Sequence, residues 1–152
     1  MKNELLCTLD WSMPNDVQKV GIALAKEETN IWMFIQPMNE NYNKSVWENC
    51  AKVLKGKSDE LLLPYLIPLI EWLQDLTWPG AEAIFERLST IPAATLSGPI
   101  SYSVMRAVEH DDLVWLSNIS MLVQQSNLSS ALDIEVVELL NNSTTGFVST
   151  PE

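Results

Sequence analysis

The sequence has few of the residues that most often carry out chemistry. Among its 152 residues, His110 is the single histidine, and Cys7 and Cys50 are the only cysteines. The two thiols follow no metal-binding spacing and are too few for a disulfide framework. No glycine-rich phosphate loop and no serine nucleophile motif is present. We therefore expect no catalytic residue, no metal and no cofactor, and we interpret the cysteines as reduced thiols of a cytoplasmic protein.

No stretch of the sequence indicates a membrane or a targeting role. The longest apolar run, residues 61–70, contains Pro64 and Pro68 and stops at Glu71. A membrane-spanning helix needs about 20 apolar residues, so this run is too short. Residues 1–10 place a lysine and an acid before a short apolar pair, which is not the pattern of a signal peptide. We expect a cytoplasmic protein that does not contact a membrane.

Positive charge is scarce over most of the chain. Residues 1–57 hold seven lysines and seven acids, whereas residues 58–152 hold only Arg87 and Arg106 against 13 acids. The whole net charge of −11 therefore lies beyond residue 57. Such a field repels the phosphates of nucleic acids and attracts a basic protein. The alternative is that the acids only keep the protein soluble.

The residues that are present predict helices. The chain has 47% hydrophobic residues and only 5 glycines, which is ordinary globular composition. Residues 79–89 form an amphipathic helix that places Phe85 and Leu88 in the core. Residues 31–35 are compatible with a buried strand, but no partner strand is evident, so a short helical segment is preferred. Another helical stripe, predicted to face the core, consists of Val17, Val20, Gly21 and Leu24.

Local signals predict where the helices begin and end. Two sequences have the capping-box pattern, Ser45 to Glu48 and Ser130 to Asp133, and Asp111 is placed to cap the helix after it. Pro64 and Pro68 interrupt residues 59–74, because each removes an amide and collides with the preceding turn. We predict a short helical turn, a break near Pro64, and a second helix that reaches about Gln74.

Three tryptophans suggest an internal repeat. Trp47, Trp78 and Trp115 are 31 and 37 residues apart, and each leads a helix that a second apolar helix follows. Two helices every 30–40 residues are typical of an α-solenoid of the HEAT or armadillo type. We predict an all-α protein with about three to four helix pairs, the alternative being an irregular helical bundle. Residues 1–141 would form one repeat domain, a monomer or weak homodimer, and residues 142–152 a frayed polar tail.

The middle of the chain contains the segment Trp-Leu-Gln-Asp-Leu-Thr-Trp-Pro, residues 72–79, which we call the Trp-Pro corner. A proline forces the residue before it out of helical geometry, so the corner ends one helix and starts another near Pro79. Together with its neighbours in residues 45–90, the corner resembles a bacterial family of small proteins classified as a domain of unknown function. The resemblance implies a HEAT-like helical fold and brings no activity with it.

The corner also supplies the candidate binding surface. Exposed tryptophans beside charged groups are typical of interface hot spots, although the two tryptophans could instead fill the core. We expect a non-enzymatic interaction module that binds a basic protein and no nucleic acid; by analogy of size and acidity, toxin-immunity proteins are one such class. The alternative is a small cytosolic enzyme that uses the corner carboxylates or His110. The candidate binding residues are Glu71, Trp72, Asp75, Trp78, Glu82 and Glu86.

Overall fold

The chain folds into helices joined by short turns. The computed structural model describes the backbone of residues 2–37 and 44–148, and the side chains of residues 4–37 and 44–142. Within these ranges there is no strand, which confirms the all-α prediction. The α-helices are α1 (Lys2–Thr8), α2 (Asn15–Lys26), α3 (Trp47–Lys55), α4 (Asp59–Leu62), α5 (Leu66–Glu71), α6 (Ala81–Leu88), α7 (Ala93–Glu109), α8 (Leu113–Gln125) and α9 (Ile134–Val148). Single 3-10 turns lie at Trp32–Phe34, Lys44–Val46, Leu63–Tyr65, Trp72–Gln74 and Ser129–Ala131.

The prolines divide residues 59–74 as predicted. Helix α4 ends at Leu62, a 3-10 turn contains Pro64, and α5 then leads into a second 3-10 turn that ends at Gln74. The apolar run at residues 31–35 is a 3-10 turn with buried flanks, so the preference for a short helical segment is also confirmed. The break near Pro64 could be predicted from sequence because a proline disturbs its own turn of helix.

Several helix starts differ from the prediction. Helix α3 begins one residue after Val46, and the hydroxyl of Ser45 donates to Asp10 at 2.8 Å. Helix α8 is capped by Asp112, which accepts from the amide of Trp115 at 3.0 Å, and not by Asp111. Helix α9 begins at Ile134, because a 3-10 turn occupies part of the second predicted capping box. Capping patterns thus located the helices within a few residues without identifying the capping groups.

The predicted core stripe of α2 is on the wrong side of the helix. Val20 and Leu24 are 59% and 58% exposed, whereas Gly21 and Ala25 are buried. The reason is the close approach of α1, where a Cβ added at Gly21 would lie only 2.0 Å from the hydroxyl oxygen of Thr8. Gly21, which belongs to the predicted stripe, therefore faces α1, and Val20 and Leu24 are turned outward.

One core joins the helices that surround the Trp-Pro corner. Helix α3 packs on α6, α5 packs on α7, and α8 packs on both α7 and α9. Helix α8 also contacts the 3-10 turn at the start of the corner, where Trp115 Nε1 donates to the carbonyl of Ile70 at 3.1 Å and Asn118 donates to that of Leu73 at 2.7 Å. These two bonds attach α8 to the end of α5 and to the 3-10 turn that follows it.

A buried lysine fixes the first part of the chain to this core. The ammonium of Lys57 donates to three carbonyls at the C-terminal end of α2. Those of Ala25 and Lys26 are both 2.9 Å away, and that of Glu28, just beyond the helix, is 2.6 Å away. A cation at a helix C-terminus is favoured by the helix dipole as well as by the hydrogen bonds. The carbonyl of Lys57 in turn accepts from Arg87 of α6 at 2.8 Å, which links α2 to α6.

The C-terminal helix is longer than expected. Helix α9 continues to Val148, beyond residue 142, where the frayed tail was predicted to begin, and residues 149–152 lie outside the described part of the chain. The division into a single domain and a tail stays a prediction. In the described ranges, no helix has both the length and the apolar character needed to cross a membrane.

Candidate functional site at the Trp-Pro corner

The Trp-Pro corner is a tight connection between a 3-10 turn and α6. The 3-10 turn ends at Gln74, Asp75 is extended, and the amide of Trp78 donates to the carbonyl of Asp75 at 3.0 Å. Helix α6 begins at Ala81, two residues later than the start predicted at Pro79. Gly80 precedes it with a φ of 83°. The 3-10 turn thus ends before Pro79 is reached, and a glycine in the left-handed region directs the chain into α6.

Gly80 also allows α3 to approach the corner. A Cβ at this position would lie 2.7 Å from the Cβ of Ala51 and 2.8 Å from the carbonyl oxygen of Trp47. The amide of Gly80 donates to Glu48 of α3 at 2.9 Å. An anionic acceptor at the N-terminus of α6 is favoured by the helix dipole. The sequence pattern had paired Glu48 with Ser45, and the structure shows a contact 32 residues along the chain.

Trp72 is part of the core. Its ring has 0% exposure, and its Nε1 donates to the carbonyl of Pro79 at 3.0 Å. Trp47 packs edge-on against Trp72 with ring centroids 6.1 Å apart, and against Trp78 with centroids 5.5 Å apart. Of the two interpretations of Trp72, the structure therefore supports the core one, and its ring has no exposed face for binding, while Trp78 is half-buried at the edge of the cluster. The sequence did not predict that Trp47 belongs to this cluster, because it identified Trp47 only as one of the three tryptophans of the suspected repeat.

The four corner acids have different environments. Glu71 is buried and accepts from Arg106 at 2.6 Å, and Glu86 forms an ion pair with Lys55. Glu82 is exposed and makes no ion pair with a described side chain. The two ion pairs join residues more than 30 positions apart, so spacing along one helix could not have revealed them.

Asp75 is held by the corner itself. Its carboxylate accepts from the hydroxyl and the amide of Thr77 at 2.6 and 2.9 Å. These hydrogen bonds lower the pKa of Asp75, and the nearby positive charge of Lys44 lowers it further. The carboxylate is thus ionised at neutral pH and fixed in direction.

An apolar pocket opens beside these acids, and we call it the Phe85 pocket. Leu76, Glu82, Phe85 and Met121 line it, and its volume is about 250 Å³. Phe85 was predicted to be a core residue and is only half-buried, whereas Leu88 is fully buried as predicted. The sequence did not predict that Met121 of α8 lines a pocket, because the apolar stripe that indicates the core-facing side of α8 lies on the opposite side of that helix. The pocket has the size of a side chain rather than of a substrate molecule.

The remaining reactive groups are scattered. His110 is exposed at the end of α7, Cys7 is exposed on α1, and burial raises the pKa of Cys50 to about 12. Among the residues whose side chains are described, no three histidines, cysteines or acids lie close enough together to hold a metal ion. The groups that come together at the corner are aromatic, apolar and acidic, which is chemistry suited to binding.

Comparison with known proteins adds a family. No curated protein and no solved structure matches the chain. The model of one protein family does match residues 43–147, a range that contains the Trp-Pro corner, Trp47 and helices α3 to α8. The match covers more than half of the 152 residues. The chain therefore belongs to the family described as Domain of unknown function (DUF5071).

Proposed function

We propose that the protein is a non-enzymatic interaction module that binds a basic protein partner. The binding surface is the corner face, which consists of Asp75, Leu76, Glu82, Phe85 and Met121. The observation that carries the proposal is the apolar Phe85 pocket with the exposed carboxylate of Glu82 at its rim. An apolar anchor surrounded by charged groups is the usual composition of a protein interface.

The distribution of ion pairs supports a basic partner. The only two arginines in residues 58–152 are both used inside the fold, since Arg87 bonds to Asp59 and Arg106 bonds to Glu71. Among the exposed acids of this region, Asp59 and Glu86 are paired with Arg87 and Lys55, whereas Glu82 makes no ion pair with a described side chain and keeps its negative charge. Such a field accelerates the association of a basic protein and weakens with added salt.

For the architecture we propose a short HEAT-like solenoid. Helices α3, α6 and α8 each lie next to one of the three repeat tryptophans, and each is followed by a second helix, α5, α7 or α9. The packing of α3 on α6, of α5 on α7 and of α7 on α9 is the neighbour-to-neighbour order that a solenoid requires. A chain truncated after α7 should then still unfold cooperatively, whereas a bundle with one indivisible core would not fold without α8 and α9.

One class of basic partner deserves a direct search. The size and acidity of the chain are similar to those of immunity proteins, which bind and neutralise toxins. A toxin encoded beside the gene of this protein would supply the partner for binding measurements. The catalytic alternative has no supporting contact among the described residues, because Glu71 is bound to Arg106 and His110 is exposed without an acid–base partner.

The experiment is capture of partners from the native source at low salt, followed by affinity measurements with variants. Glu82→Lys and Phe85→Ala should each weaken binding about tenfold or more, as interface hot spots do. Glu138→Lys makes the same charge change on an exposed part of α9 and serves as the control, with an effect of about twofold or less. A partner that ignores salt and Glu82→Lys, and that contacts only residues 1–57, would contradict the proposal.

A further inference from the structure

Two tryptophan rings at the edge of the corner hold an ammonium group between them. Trp47 and Trp78 are nearly perpendicular, with an angle of 82° and centroids 5.5 Å apart. The Nζ atom of Lys44 lies 5.6 Å from the centroid of each ring. The faces of indole rings carry negative charge density and attract cations within about 6 Å.

An acid completes this arrangement. Asp75 lies in the same turn as Trp78, whose amide donates to the Asp75 carbonyl at 3.0 Å, and the positive charge of Lys44 contributes to the lowered pKa of the Asp75 carboxyl. Asp75 is itself fixed by its two bonds to Thr77. Aromatic rings that surround a cation are used by proteins to recognise alkylated ammonium groups, and a nearby carboxylate adds electrostatic attraction.

The rings are held in place before any ligand arrives. Trp47 is buried and packs against Trp72 as well as against Trp78. The amide of Trp78 is bonded to the carbonyl of Asp75 within the corner. Groups that are already ordered lose little conformational entropy on binding, which favours affinity.

Lys44, in contrast, is weakly held. Its side chain is exposed, and its ammonium makes no ion pair with a described side chain. A cation–π contact at an exposed position is worth about 0.5–1 kcal/mol. A cation supplied from outside could therefore displace it.

We propose that Trp47, Trp78 and Asp75 form a cation site for a lysine or methyl-lysine side chain of the partner, and that Lys44 occupies this site in the unbound chain. The identification of the ligand as a partner's side chain depends on the proposed function. The affinity of the site for an ammonium group does not, since small ions can measure it without any partner.

The test is a titration with tetramethylammonium and with N-acetyl-trimethyllysine amide, followed by tryptophan fluorescence and by the NMR shifts of the indole N–H groups. Lys44→Ala removes the internal competitor and should bind these probes about two- to fivefold more tightly than the wild type. Trp78→Leu should abolish the response, and Asp75→Asn should weaken binding without removing a ring. Trp11→Leu removes an exposed indole elsewhere and is the control, with unchanged affinity. Circular dichroism verifies that each variant is folded.

The outcomes separate this site from the corner face. No saturable response in Lys44→Ala, or an equal response to the neutral probe N-acetyl-leucine amide, would overturn the cation site. Undiminished binding by both Trp78→Leu and Asp75→Asn would do the same. If the ammonium probes fail while Glu82→Lys still releases a captured partner, the cation site is wrong and the corner face stands. If the probes bind and no basic partner depends on Glu82, the cation site stands and the proposed function is wrong.

Discussion

The indole Nε1 of Trp72 donates a hydrogen bond to the carbonyl oxygen of Pro79 at 3.0 Å. This bond joins the first and last residues of the Trp-Pro corner, and the ring that makes it is fully buried. The loop between them is therefore closed, with Leu73 buried in the core and Asp75 and Leu76 partly exposed. The candidate surface depends on this closure, because Asp75 and Leu76 belong to the closed loop.

Replacing Gly80 should be one of the most damaging small changes in the chain. Gly80→Ala places a Cβ 2.7 Å from the Cβ of Ala51 and forces a non-glycine residue to a φ of 83°. Overpacking and the left-handed conformation together should lower the free energy of unfolding by about 2–5 kcal/mol. Urea denaturation measures the change.

Gly98→Ala is the matched control for this prediction. Gly98 lies within α7, and a Cβ added there meets no atom within 4 Å. Alanine is a better helix former than glycine, but the ring of Pro99 disfavours helical geometry at a preceding residue that has a Cβ, so the two effects oppose each other and stability should change by about 1 kcal/mol or less. Equal effects of the two substitutions would show that α3 does not contact the corner closely.

Leu88 and Phe85 should respond differently to truncation. Leu88 is fully buried, and Leu88→Ala should cost about 2–5 kcal/mol of stability through cavity formation. Phe85 is half-buried at the pocket, so Phe85→Ala should cost about 1 kcal/mol. Thermal unfolding of both variants tests the difference. A loss for Phe85→Ala as large as that for Leu88→Ala would mean that the pocket is closed in solution.

The bond between Arg106 and Glu71 should stabilise the fold more than the surface pair of Lys55 and Glu86. Arg106→Met leaves the buried carboxylate of Glu71 without its cation and should cost about 1–3 kcal/mol. Adding Glu71→Gln should recover part of this loss, because the buried charge is then removed. Lys55→Met, which breaks an exposed pair, should cost about 0.5 kcal/mol or less. Chemical denaturation of the three variants would contradict this assignment if Lys55→Met were the most damaging.

The two cysteines should react with thiol reagents at different rates. Cys7 is exposed, whereas Cys50 is buried and burial raises its pKa to about 12. Since the thiolate is the reactive form, a colorimetric disulfide reagent at neutral pH should modify one thiol per native chain and the second only after denaturation. Cys7→Ser should remove the fast phase. Rapid reaction of two thiols in the folded protein would show that α3 opens readily.

Some of the fold follows from sequence alone. Pro64 was sufficient to predict the break between α4 and α5, because a missing amide acts on its own turn, whereas Pro68 lies within α5 without breaking it. The resemblance to a family of unknown function was stated from the sequence, and the family model matches residues 43–147. The predicted binding function is a property of the surface, and it stays a prediction until a partner is measured.

What a side chain faces was decided by tertiary contacts. The contact of Gly21 with Thr8 turned Val20 and Leu24 of α2 outward, although their spacing is that of a core stripe. The sequence left open whether Trp72 is exposed or fills the core, and the packing of Trp47 against it buries it in the core.

The sequence by itself determined the helical class, the breaks at the prolines, and the excess of acids beyond residue 57, since each depends on residue type and local spacing. Only the tertiary structure decided which acids form ion pairs and which tryptophan rings pack against each other. Arg106 reaches Glu71, and Trp47 reaches Trp78, across more than 30 residues of chain. Such contacts depend on how helices pack against each other, and no periodicity within one helix encodes that packing.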